Sequence, residues 1–252
     1  MLAAERIDKI ARIVSKNGGI KTSELSRMFK VSEMTILRDL SFLENRGFLK
    51  RVYGGAVSAR SNNEEVSRAI REKINAAEKN KIADIAYTLI KPNEQIFIDP
   101  STTCLALARK IKNISEINVI TNGLDIVNEL ADSENVRLTC IGGDFHKISM
   151  SFLGPISEIP LKEIYFDKVF FSPTGCTPEQ GITEANVYSV AIRKTIIENA
   201  KEVILLADHS KFEKVSLYKI CDWNQINTVI SDKKPDEKYE KLFKDNNICF
   251  LG

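Results

Sequence analysis

The 252-residue chain is poor in the residues that build most metal and nucleophile sites, with two histidines and five cysteines. Cys104, Cys140, Cys176, Cys221 and Cys249 are scattered, odd in number and nowhere spaced C-x-x-C. That argues against a disulfide framework or a zinc site, and all five are expected to be small buried hydrophobes in a reducing compartment. No apolar run approaches the roughly 18 residues a membrane span needs. The start, "MLAAERIDKI", has no apolar signal core, so the expectation is a cytoplasmic protein with no membrane partner. There is no internal repeat and no low-complexity segment. No metal, cofactor or catalytic residue is assigned, and His146 and His209 are given no role. Trp223 is expected to pack in a core.

What is present is a charge asymmetry under a formal net charge of +2. Residues 1–60 hold 12 Lys and Arg against 6 Asp and Glu, and residues 61–252 hold 24 against 28. A basic head on a mildly acidic body points to an anionic partner for the head.

The head has the pattern of a small helical domain. Ile7, Ile10, Ala11 and Val14 keep helical spacing until Gly18-Gly19. Thr22 or Ser23 can cap a second helix with Leu25, Met28 and Phe29 as its inner face. Ser32 can cap a third, with Val31 and Ile36 at hydrophobic-staple spacing. In that helix Ile36, Leu40 and Leu43 share a face, while Glu33, Met34, Thr35 and Arg38 fall on others. Gly47 ends it, and Phe48–Tyr53 reads as a short hairpin turned or closed by Gly54-Gly55. Helix, helix, turn, helix and basic wing is the order of a winged helix-turn-helix. Such a unit lays its last helix in the major groove of double-stranded DNA, with wing and flanking amides on phosphate. The DNA-facing candidates are Ser32, Glu33, Met34, Thr35 and Arg38 on the helix, and Lys50, Arg51, Tyr53 and Gly54 on the wing. Lys50 and Arg51 are expected to face phosphate. A three-helix oligomerisation or peptide-binding unit shares this shape, but shape, charge and wing together favour DNA.

Residues 57–80 are polar, with a joint expected near Ser58–Asn63 and then a helix running towards Ile90. Beyond residue 94, short apolar runs alternate with amphipathic stretches. The runs are "QIFID" (95–99), "INVIT" (117–121), "VRLTCIG" (136–142), "KVFFS" (168–172), "VILLAD" (203–208) and "NTVIS" (227–231). Between several of them lie helical patterns at 102–112, 123–132 and 187–200. This predicts an α/β fold, Rossmann-like with a mostly parallel sheet. The expected domains are 1–57 for DNA, a linker over 58–75, and 76–252 for effector binding and oligomerisation.

In such sheets ligands bind off the carboxyl ends of the strands. Those ends hold Asp99 and Ser101-Thr102-Thr103, Thr121-Asn122, Gly142-Gly143, Ser172 to Gly175, and Asp208 with Ser210 and Lys211. Hydroxyls at a helix start suit a phosphate, Lys211 can supply a point charge, and Asp99 or Asp208 can accept from sugar hydroxyls. Each residue also has a plainer reading as a cap or turn.

Both halves resemble one family. Val31, Ser32, Thr35, Ile36, Arg38, Asp39, Leu40, Leu43, Glu44, Gly47, Leu49, Arg51, Tyr53, Gly54, Gly55 and Ala56 follow V-S-x-x-T-[IV]-R-R-D-L-x-x-L-E-x-x-G-x-[LI]-x-R-x-[HY]-G-G-A. This is similar to the N-terminal signature of the DeoR family of bacterial transcription regulators. The body resembles that family's sensor region in D-x-G-[ST]-T, T-N, G-G, G-[IL]-T and D-x-S-K-[FW]. These stand here as Asp99, Thr102 and Thr103; Thr121-Asn122; Gly142-Gly143; Gly181-Ile182-Thr183; and Asp208, Ser210, Lys211 and Phe212. Two positions depart. Leu37 stands where the family has the first of two arginines, and Ser101, after Pro100, where it has glycine. The resemblance implies a fold similar to ribose-5-phosphate isomerase and glucosamine-6-phosphate deaminase. It also implies a phosphorylated sugar or related effector and a non-enzymatic repressor of carbohydrate genes, and because operators mirror protein symmetry a homo-oligomer (dimer or tetramer) is expected. It adds Thr183 to the effector candidates. The competing functions are an isomerase or deaminase with an appended head, and a constitutive DNA binder.

Overall fold

The computed structural model describes residues 3–44, 49–58, 68–112, 114 and 116–252. The chain divides into two compact units, Met1–Ile74 and Asn75–Gly252.

In the first unit, α1 (Ala3–Asn17) leads into β1 (Gly19–Lys21), α2 (Thr22–Phe29) and α3 (Glu33–Glu44). A hairpin follows, β2 (Leu49–Val52) and β3 (Gly55–Ser58), turned at Tyr53-Gly54. The three strands form one antiparallel sheet in the order β1-β3-β2. Ile10, Val14, Leu25, Ile36, Leu40, Leu43, Leu49 and Ala56 make the core. Val31 packs against it, and Ser32 Oγ accepts from Thr35 N at 3.2 Å, so α3 has both its cap and its staple. One buried ion pair ties α1 to α3: Arg6 Nε donates to Asp39 Oδ2 at 2.6 Å and Arg6 Nη2 to Oδ1 at 3.3 Å.

Two expectations for this unit are corrected. Neither Thr22 nor Ser23 caps α2. Lys21 holds the cap position without a side-chain bond, and Thr22 Oγ1 is buried inside the helix without a partner. Met28 is not on the inner face: the buried residues of α2 are Thr22 and Leu25. Met28 is 56% exposed. The helix end at Gly47, residue Phe48 and most of the Ser58–Asn63 joint lie outside the described residues. Past them comes α4 (Arg68–Lys73).

The second unit opens with α5 (Ala76–Thr88) and then alternates strand and helix. In order these are β4 (Gln95–Ile98), α6 (Thr102–Ile111), β5 (Ile117–Thr121), α7 (Leu124–Leu130) and β6 (Val136–Cys140). A hairpin of β7 (Asp144–His146) and β8 (Ser151–Leu153) precedes α8 (Pro155–Leu161) and β9 (Phe166–Phe171). Then follow β10 (Gly175–Thr177), β11 (Gly181–Glu184), α9 (Val187–Glu198), β12 (Ala200–Leu206) and β13 (Tyr218–Cys221). β14 (Thr228–Ile230), α10 (Glu237–Asp245) and β15 (Cys249–Leu251) close the chain.

Seven strands form a parallel sheet in the order β15-β14-β12-β9-β4-β5-β6. All six apolar runs read from the sequence are in it. Alternate residues feed opposite layers. Ile96, Ile98, Val119, Ile204 and Ile230 pack with Ile82, Ala86, Leu105 and Ile126 of α5, α6 and α7. Phe97, Ile120, Val169, Leu205 and Val229 pack with Ile192, Ile196, Tyr239 and Phe243 of α9 and α10. Burial on both faces is why these strands read as continuous apolar runs. Trp223 is in the second layer, its indole N–H donating to Thr177 O at 2.9 Å.

The cysteine expectation is corrected in part. Cys104, Cys176 and Cys221 are buried, and burial raises their thiols. Cys140, on the outermost strand β6, and Cys249 are exposed. No described helix is long and apolar enough to cross a membrane.

Candidate functional site

In the first unit α3 presents Glu33, Met34 and Arg38 to solvent, with Thr35 half-buried. Thr35 Oγ1 lies 2.9 Å from Ser32 Oγ, so both hydroxyls serve the cap, while Arg38 makes no hydrogen bond or ion pair among the described residues. Tyr53 and Gly54 form the exposed wing tip, and Lys50 lies on β2. Arg51 is placed differently from expectation. Its Nε donates to Glu44 Oε2 at 2.5 Å, its backbone N to Glu44 Oε1 at 2.8 Å, and its Nη1 to Ser41 Oγ at 2.7 Å. Arg51 is therefore a strut from wing to α3, with the Glu44 carboxylate held by its Nε and by its backbone N–H. Leu37 is exposed, so the departure from the family pattern leaves an apolar side chain on the surface.

In the second unit the chain runs outward from β4 through β5 to β6, then returns to β9 on the other side of β4. The crevice between the carboxyl ends of β4 and β9 is where such sheets bind ligands. The β4 end enters it through Asp99, whose N–H donates to Phe170 O of β9 at 3.0 Å. Ser101 caps α6, its Oγ accepting from Cys104 N at 3.1 Å, and its φ of −83° is one any L-residue adopts. Serine therefore replaces the family glycine without backbone strain. Thr102 and Thr103 are buried in the first turn of α6.

The neighbouring strand ends are tied to this one. Thr121 Oγ1 donates to Ile98 O at 2.6 Å and accepts from Gly123 N at 3.0 Å. Asn122 is clamped by the β7–β8 hairpin. Its Nδ2 donates to Phe152 O at 2.8 Å and its carbonyl accepts from Phe152 N at 2.8 Å. Asn122 Oδ1 is buried without a partner, as is Ser231 Oγ at the end of β14. An orphaned buried acceptor costs about 1–3 kcal/mol. Gly142 has open space where a side chain would stand. Gly143 does not: a Cβ there would lie 1.9 Å from Ser157 Oγ.

The sequence reading missed the most connected side chain of this rim. Arg193 of α9 is buried and grips Asp99 in a fork, Nε to Oδ1 at 2.9 Å and Nη2 to Oδ2 at 3.0 Å. Its Nη1 also donates to Glu184 Oε2. Glu184 Oε1 in turn accepts from Thr174 Oγ1 and Ala185 N, each at 2.7 Å. Burial alone raises the Glu184 carboxyl, but Arg193 and these donors outweigh it and hold it below the ordinary range. Asp99 is thus engaged at both oxygens by protein, where the sequence suggested an acceptor for sugar hydroxyls. The one signal was a lone arginine inside the apolar pattern "VAIRKTII".

Gly175 and Thr183 pair across β10 and β11. Thr183 Oγ1 donates to Gly175 O and accepts from Ser216 N, both at 2.9 Å, so its hydroxyl is spent on backbone. Gly175 lies against the Lys214 carbonyl. Asp208 is buried and accepts from Asn75 Nδ2 at 2.9 Å and Ser210 N at 3.0 Å. Burial raises its carboxyl, yet Lys211 and these bonds prevail and lower it. Lys211 is half-buried in the turn that Asp208 caps. His209 Nδ1 sits 2.7 Å from Asp232 Oδ2.

A winged helix with an exposed recognition helix, and a parallel α/β unit with a polar rim, define a DNA-binding transcription regulator with a sensor domain. The model of the DeoR-like helix-turn-helix domain matches residues 6–62, and that of the DeoR C terminal sensor domain matches residues 74–233. The chain belongs to the DeoR family. It is 35% identical to the uncharacterized HTH-type transcriptional regulator YulB of Bacillus subtilis, over 98% of this chain and 96% of that one. It is 35% identical to the HTH-type transcriptional regulator GolR of Listeria innocua, over 98% of each. It is also 35% identical to the lactose phosphotransferase system repressor of Streptococcus mutans, over 98% of this chain and 99% of that one. In fold it is similar to the tetrameric eIF2B-beta2-delta2 complex of C. thermophilum, with a TM-score of 0.50 at 12% identity over 97% and 88% of the two chains. Ribose 5-phosphate isomerase A of Methanocaldococcus jannaschii aligns over 55% of each chain with a TM-score of 0.42 at 18% identity.

Proposed function

We propose that this regulator is a cytoplasmic repressor of carbohydrate-metabolism genes whose operator binding is set by a phosphorylated sugar or related metabolite. The effector occupies the carboxyl rim of the parallel sheet. The α6 N-terminus, with Thr102 and Thr103, receives the phosphate, and Lys211 adds a point charge. The observation that carries this reading is the buried, unpartnered Asn122 Oδ1 on a strand end whose neighbour Gly123 lies against Pro100, just before α6. A sugar hydroxyl donating to it would offset the cost of leaving it orphaned. A relative named for a lactose phosphotransferase system agrees with this ligand class.

The protein works as a homo-oligomer, since helix-turn-helix readers use paired heads on two half-sites. It is not an enzyme. A carboxylate that serves as general base must be free to take a proton and have a pKa near the working pH. Of the rim carboxylates, Asp99 and Glu184 are both spent on Arg193, and Glu184 and Asp208 are held low.

Isothermal titration of the full chain with a panel of hexose and pentose phosphates tests the site. One compound is expected to bind, and Asn122→Ala or Lys211→Ala to lose it while the unfolding transition is kept. Equal binding to both variants would sink the placement.

A further inference from the structure

α3 turns Ile36, Asp39, Leu40 and Leu43 inward. At about 100° per residue its opposite side carries Met34, Leu37, Arg38 and Ser41. Met34 is 70% exposed and Leu37 38%. The hydroxyls near this face are already committed. Ser41 Oγ donates to Leu37 O at 2.8 Å and accepts from Arg51, and Thr35 Oγ1 is engaged by Ser32. The outward face therefore offers Met34, Leu37 and the Arg38 guanidinium, with Phe42, 39% exposed, on its other flank.

The apolar group that base edges display in the major groove is the C5-methyl of thymine. A Met or Leu pressed on the polar edge of another base would bury donors and acceptors without partners, which is penalised. Against a methyl group the same side chain gains apolar contact. We propose that Met34 and Leu37 read thymine methyl groups, so that each operator half-site carries A·T pairs under these two side chains. Arg38 supplies the charged contact beside them. The inference rests on α3 being the helix that enters the groove. Both side chains lie outside the core of the unit, so changing them leaves its fold intact.

The test starts from a duplex library of random sequence, enriched on the full chain at fixed salt. In the selected duplex each thymine is then replaced, one at a time, by deoxyuridine, which removes only the methyl group. Two positions per half-site are expected to lose about 4-fold in affinity, the worth of one buried methyl. With Leu37→Ala the loss at one of them disappears, and with Met34→Ala the loss at the other, while specific binding persists. Specific binding that is indifferent to uracil at every position, or a loss unchanged in both variants, would overturn the inference alone. A library with no enriched sequence would overturn it together with the DNA-binding reading.

Discussion

Gly142 and Gly143 are neighbours with opposite demands. Gly143 has a φ of +151°, and a Cβ there would stand 2.7 Å from Leu153 O as well as against Ser157 Oγ. Ser157 cannot retreat easily, because its hydroxyl donates to Gly142 O at 2.7 Å. Gly143→Ala should therefore destabilise the protein by about 2–4 kcal/mol, through overpacking and backbone strain together. Gly142→Ala, with open space ahead of it, should melt like the parent. Thermal unfolding of the two variants compares them directly. The residue scale also sets the acid response. Glu184 and Asp208 both have folded carboxyls below their ordinary values of 4.5 and 3.8. Groups depressed on folding contribute stability that is present above the unfolded value and lost as pH falls through the folded one. Urea unfolding should thus show stability falling below about pH 4.5. Arg193→Gln should lower the whole curve and flatten this acid limb, since Glu184 then loses the cation that holds its carboxyl low.

Elements show what the sequence could and could not disclose. Six of the seven strands of the parallel sheet were legible, the inner five because burial on both faces demands unbroken apolar runs. The short strands β1, β7, β8, β10, β11, β13 and β15 were not. Most are polar or glycine-bearing, and their pairing partners are set by tertiary contacts such as Gly175 against Lys214. The rim residues were readable as strand ends, yet their individual jobs were not. Asp99 and Arg193 are 94 positions apart and Arg6 and Asp39 are 33 apart, so neither pairing leaves a local pattern. The wing shows the same limit. Arg51 reads as a phosphate contact from its charge, but it joins β2 to α3 through Glu44 and Ser41. Removing an acidic side chain from a DNA-binding face ordinarily strengthens binding. If the strut positions the wing, Glu44→Gln should instead weaken operator binding a few-fold, and Arg51→Ala should add little to it. The salt dependence separates the cases, because a lost phosphate contact lowers the slope by about one and a mispositioned wing need not.

At the scale of the whole molecule, two compact units divide the work between DNA and metabolite. An effector can shift operator binding only by the difference in its affinity for the two states of the protein. If the effector occupies the rim as proposed, the rim has to distinguish them, and the network joining Asp99, Arg193 and Glu184 links the end of β4 with α9 and β11 there. The measurement that tests the central claim is fluorescence anisotropy of the full chain on the duplex enriched from the random library, at fixed salt, with sugar phosphates added singly. One phosphorylated sugar should change the operator affinity of the parent, and the same compound should leave that of Lys211→Ala unchanged while Lys211→Ala still binds DNA. Tight, specific DNA binding that no phosphorylated sugar alters would contradict the account.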